Sequence, residues 1–114
     1  MPLNINGVMV YQKVLASSQP GASLTTLYAG IGRGAFDLTL YAANIVGAGG
    51  AAKTFRVQLT GASVTARDIA YDVSLPAGSG PLEFDIPYLG LSDIIKVYGS
   101  DANVDFVLIG CEAP

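Results

Sequence analysis

The sequence predicts an all-β domain, an eight-stranded two-sheet sandwich of jelly-roll type, and three observations carry that expectation. Eight short runs alternate apolar and polar residues or are rich in β-formers, and clusters of Gly, Pro, Ser, Asn and Asp separate them. No stretch repeats its apolar residues with a helical period. Eight strands roughly a dozen residues apart, without helices, suit a sandwich or barrel better than an open sheet, and eight is the jelly-roll number.

A chain of 114 residues encloses one hydrophobic core but not two. Residues 1–7 read as a short polar N-terminal arm expected to reach over a neighbour, and 8–114 as a single sandwich domain. The first run, Val8 to Ser17, ends at Ser17-Ser18-Gln19-Pro20-Gly21, and Leu24 to Ala29 follows before the turn Gly30-Ile31-Gly32-Arg33-Gly34. In the third run Phe36, Leu38 and Leu40 are expected on one face and Asp37, Thr39 and Tyr41 on the other, because successive side chains of a strand alternate.

After a loop of small residues at 47–52, Phe55, Val57 and Leu59 alternate with Thr54, Arg56, Gln58 and Thr60 in the clearest strand of the sequence. Next, Ile69, Tyr71, Val73 and Leu75 are expected in the core, opposite Asp68, Ala70, Asp72 and Ser74. The turn at 76–81 leads to Leu82, Phe84 and Ile86, where Pro87 marks a strand end or an edge because it has no N–H for a ladder. The final pair, Ile94 to Gly99 and Val104 to Cys111, is joined at Ser100-Asp101-Ala102-Asn103. In the last run Val104, Phe106 and Leu108 form one apolar face, while Val107, Ile109 and Cys111 make the other face apolar too. A strand apolar on both sides is covered on both, either by its own domain or by another chain.

Hydrophobic residues make up 51% of the chain and charged residues only 13%, with a mean hydropathy of +0.47. So little charge points to a surface that is partly covered in use. Six basic residues (Lys13, Arg33, Lys53, Arg56, Arg67, Lys96) against nine acidic ones give a net charge of −3 without any basic run, which argues against a nucleic-acid partner. No apolar stretch is long enough for a membrane helix, and no positive segment precedes the first apolar one. The expected site of synthesis is a cytoplasm. The lone Cys111 excludes an internal disulfide and reads as a small buried hydrophobe.

Catalysis is not expected. There is no histidine, which removes the commonest general base and metal ligand. Asp68 and Asp72 lie roughly 13 Å apart along an ideal strand, and Glu83 and Asp85, about 7 Å apart, belong to a solvated face. Asp101, Asn103, Asp105 and Glu112 match part of a calcium loop, but Phe106 occupies the position that needs glycine and the segment continues as a strand. Gly30, Gly32 and Gly34 lack the following helix and the Lys-Ser/Thr pair of a phosphate loop. No cofactor or metal is expected.

An ordered set of segments covers about four-fifths of the chain: Thr25-Thr26-Leu27-Tyr28, Asn44 before a loop of small residues, Tyr71-Asp72, Pro76-Ala77-Gly78 and Gly110-Cys111-Glu112. In that order they resemble small phage virion proteins of the capsid decoration or cement type, β-sandwiches that decorate or cement a capsid or sit on the tail. The stretch Gly30 to Gly34 departs from the Pro-Ala-Gly-like turn of such chains. The resemblance implies a non-enzymatic virion component on the capsid surface that forms a homotrimer and contacts the major capsid protein. The alternatives are a tail or baseplate accessory protein and a receptor- or carbohydrate-binding module using Tyr41 or Tyr98. The candidate subunit-contact residues are Val107, Ile109, Cys111, Tyr41, Tyr98 and Arg33.

Overall fold

The computed structural model describes residues 3–5, 7–30, 33–46, 49–61, 66–78, 80–90 and 92–113, and among them there are strands but no helix. The expected eight sandwich strands are present: β3 (Lys13–Ser18), β4 (Thr25–Ala29), β5 (Ala35–Asn44), β6 (Lys53–Thr60), β7 (Arg67–Leu75), β8 (Leu82–Leu89), β9 (Ile94–Gly99) and β10 (Val104–Glu112). Ahead of them β1 (Leu3–Ile5) and β2 (Val8–Val10) pair antiparallel as a separate ribbon. Gly7, at φ 79°, makes the turn between them. The run read from Val8 to Ser17 is thus two strands broken at Tyr11-Gln12, and part of the segment read as an arm is strand.

The eight strands form two sheets, in the orders β3-β10-β5-β8 and β4-β9-β6-β7. Within them β3 pairs with β10, β4 with β9, β5 with β8 and β6 with β7, all antiparallel. That nesting describes one long hairpin of four strand pairs. Rolling it up adds the contacts β10 to β5 and β9 to β6, which complete the sheets. The result is the jelly roll expected from the strand count. Pro87 falls on β8, an edge of the first sheet, where a missing N–H costs no ladder bond.

Between the sheets lies a core of Leu38, Leu40, Ile86 and Leu89 with Val104, Phe106 and Leu108 from the first sheet, and Phe55, Val57, Ile95 and Val97 from the second. Phe55 packs on Phe84 at a ring separation of 5.5 Å and on Phe106 at 6.0 Å, so one side chain of the second sheet meets two of the first. Asn44, the one buried polar side chain among the described residues, joins the sheets at one end. Its amide donates to the carbonyls of Leu75 at 2.9 Å and Ala51 at 3.1 Å, and its Oδ1 accepts from the Val46 N–H at 3.0 Å. Every hydrogen-bonding atom of a buried amide then has a use, as burial requires.

The alternation expected in β5 and β7 fails at two aspartates. Asp37 and Asp72 adopt positive φ, 54° and 49°, and each is an inserted residue in its strand. Before Asp37 the parity of β5 reverses, so Ala35 is buried and Phe36, expected in the core, lies on the outer face. In β7, a second register shift beside Ile69 adds to the first. Ala70, Val73 and Leu75 point inward, while Tyr71 and Ile69, also expected in the core, are exposed. At Gly110 a Cβ would lie 2.4 Å from Leu38 Cδ2 and 3.2 Å from the Phe36 carbonyl oxygen, so a larger residue there would have to push the buried Leu38 side chain aside.

Phe55→Ala should cost about 3–5 kcal/mol in urea unfolding, through lost burial and a cavity between the sheets. Tyr71→Ala, on the outer face, should cost no more than about 1 kcal/mol, the worth of its exposed contact with Arg56.

Candidate functional site, two unlike outer faces

The register arranges the outer face of the first sheet in rows. Val14, Ile109, Thr39 and Asp85 form one, Ser17, Val107, Tyr41 and Glu83 the next, and Cys111, Phe36 and Tyr88 a third. Val14 and Tyr88 are each 62% exposed, while Val107, Ile109, Phe36 and Tyr41 are half-buried. The centre of this face is therefore apolar, with the carboxylates of Glu83 and Asp85 along one edge.

Three of the six candidate contact residues, Val107, Ile109 and Tyr41, come together here. Cys111, in the next row, has 0% exposure, so it is the small buried hydrophobe also read from the sequence and offers no surface to a partner. Burial pushes its thiol pKa up, as for an unreactive cysteine. Tyr98 lies on the other sheet. Arg33 is exposed in the loop between β4 and β5. Val14, Phe36 and Tyr88 also belong to this face but were not singled out from the sequence; for Phe36 the inserted Asp37 is the reason.

The outer face of the second sheet is polar and centres on Arg56. Its Nε donates to Asp72 Oδ1 at 2.7 Å and its second guanidinium nitrogen to Oδ2 at 3.4 Å. The guanidinium carbon sits 4.3 Å from the ring centre of Tyr71 and 4.5 Å from that of Tyr98. Planar guanidinium groups stack on aromatic faces while keeping their in-plane donors free for a carboxylate, which is the arrangement here. The bulge makes it possible, because Tyr71 and Asp72 together oppose Arg56 where a regular strand would offer one residue. The sequence shows Tyr98 but gives no sign that Tyr71 joins it.

The carboxylates weighed for chemistry are engaged elsewhere or exposed. Asp101 pairs with Lys53 at 2.6 Å and accepts the Asn103 N–H at 2.8 Å, and the Lys53 bond heads the causes that lower its pKa. Glu112 lies at the far end of β10 from Asp101, so the two cannot share an ion. An open groove of about 470 Å³ beside β5 and β8 is lined by Asp37, Leu38, Asp85 and Ile86. Gln12 donates to Asp37 Oδ2 at 3.2 Å and Thr39 to Asp85 at 3.4 Å. No group of three or more metal-ligating side chains occurs among the described residues.

At the margin of the sandwich Tyr28 of β4 donates its hydroxyl to Glu112 of β10 at 2.6 Å, and Lys13 of β3 pairs with the other oxygen at 3.2 Å. Burial, then the bond to Glu112, pushes the Tyr28 pKa up to about 12, and the same bond holds the Glu112 carboxyl below its usual range. The raised tyrosine pKa means that the folded state holds its proton more tightly than the unfolded chain. This contribution is full below pH 10 and is lost as pH rises toward about 12. The depressed Glu112 acts in the opposite direction, contributing above its unfolded pKa of about 4.3 and fading as acid protonates it. Melting temperature followed against pH should fall more steeply between pH 10 and about 12 in the parent chain than in Tyr28→Phe.

Comparison with protein-family models, with curated proteins and with solved structures gives no match.

Proposed function

We propose that the chain is a non-enzymatic structural protein of a virion, a decoration or cement protein that seats the outer face of its first sheet on capsid subunits and bridges them. The observation that carries this reading is the apolar outer face of that sheet, with Val107, Ile109, Phe36 and Tyr41 on its central strands and Val14 and Tyr88 on its edge strands, on a chain with only 13% charged residues. Aromatic and aliphatic residues inside a polar rim are what a protein-binding surface requires. The low charge of the chain and its ordered resemblance to small phage virion proteins support the same reading.

The mechanism is burial. Each Å² of apolar surface removed from water contributes about 25 cal/mol, and part of that is spent on fixing the two partners together. A shell repeats the same site many times by symmetry, so a modest contact per copy still reinforces the whole lattice. Association of the chain with itself as a homotrimer adds avidity, because three linked copies engage three neighbouring sites together.

Ile109→Lys tests this, since the side chain faces outward and the core is left intact. The purified variant should melt as the parent does, yet its occupancy on undecorated heads in co-sedimentation should fall about tenfold or more. Full occupancy would contradict the reading, and binding to isolated tails but not to heads would replace it with a tail-accessory role.

A further inference from the structure

We infer that the outer face of the second sheet is a saccharide-binding platform, with Tyr71 as the stacking ring and the polar row beside it as the hydrogen-bonding rim. This goes beyond the shell-binding reading and does not depend on it. Tyr71 is 59% exposed on the edge strand β7, yet its ring is not loose. Arg56 packs against it at 4.3 Å, and Arg56 is itself fixed by Asp72 on β7 and by the ring of Tyr98 on β9. An exposed ring already held in one orientation loses little conformational freedom when something stacks on it.

One ladder step along the strands, about 7 Å away, the register sets a second row across all four strands: Thr26, Lys96, Gln58 and Asp68. Among the described residues no hydrogen bond or ion pair engages any of these four side chains. An ammonium, an amide, a hydroxyl and a carboxylate thus lie in line on one flat face with their hydrogen-bonding capacity unused. The contrast is with Arg56, Asp72, Lys53, Asp101, Lys13 and Glu112, which are all paired.

The chemistry that fits is that of a pyranose. A sugar ring has one face of C–H groups, which packs on an aromatic ring, and a rim of hydroxyls, each of which donates and accepts. The face of the Tyr71 ring that Arg56 does not cover, with a row of mixed donors and acceptors one ladder step away, supplies both parts. A phosphate does not fit, because Asp72 already occupies the Arg56 guanidinium and Asp68 lies in the same row as Lys96. A second copy of the chain fits less well, since Lys96 and Asp68 in the row beside the stack are of types depleted from interface cores. In the sandwich this face is directed opposite to the apolar one, so both can be occupied at once.

The test is a glycan array of bacterial and eukaryotic surface saccharides probed with the full chain, followed by amide NMR titration with the strongest saccharide found. The expected result is saturable binding at micromolar to millimolar concentration, with shifts at Tyr71, Tyr98, Gln58 and Lys96. Tyr71→Ala should weaken it at least about tenfold, Tyr71→Phe should retain it because the ring remains, and Ile109→Lys should leave it unchanged. Failure of every saccharide to bind, shifts centred on the other sheet, or full binding by a folded Tyr71→Ala would overturn the platform. Because the readout uses the isolated chain, this outcome is independent of whether the protein binds a capsid.

Discussion

The two sheets of this protein meet through Phe55. Backbone hydrogen bonds hold strands within a sheet but not one sheet to the other, so cohesion across the middle rests on side chains. Phe55 reaches from the second sheet into the space between Phe84 and Phe106 of the first, and the aliphatic residues of both sheets close around these rings. Two polar ties reinforce the margins. Asn44 on β5 bonds the Leu75 carbonyl of β7, and Tyr28 on β4 bonds Glu112 of β10. Each tie joins strands of different sheets that are far apart in sequence, which fixes how the rolled hairpin closes.

With the interior shared in this way, the outer faces are free to differ, and they do. One is an apolar centre with acids along its edge; the other is a tyrosine–arginine stack beside a row of polar side chains without partners. The proposed functions follow from that division, with the first face covered by a shell and the second left open to solvent. The same division accounts for a weakly charged chain that nonetheless keeps one wettable side.

Most of the fold was legible in the sequence because strands announce themselves locally. Phe55, Val57 and Leu59, or Val104, Phe106 and Leu108, need only alternation to be placed in the core, and the structure puts five of them there fully buried with Leu59 packed alongside. The core residues that alternation misplaced share one cause. Period-2 reasoning holds only while no residue is inserted, and Asp37 and Asp72 are inserted, in a backbone conformation that aspartate tolerates better than most residues. An aspartate in a strand gives no local sign that it will bulge. Phe36 and Tyr71 therefore moved from the expected core to the surface, and the stack around Arg56, which joins three strands, was out of reach of any local pattern. The residues of the ordered segments quoted from the sequence fare differently. Tyr28, Asn44, Asp72, Gly110 and Glu112 each make a tie, a bulge or a close approach, so what they encode is the jelly roll itself.

The measurement that bears most directly on the division of the two faces is an electron cryomicroscopy reconstruction of the intact particle at a resolution that separates strands. It should show the sandwich on the head with the β3-β10-β5-β8 sheet, and Val107 and Ile109 in particular, against the shell and the β4-β9-β6-β7 sheet outward. A sandwich seated through the Arg56 face, or a head surface without it, would contradict the assignment of the two faces.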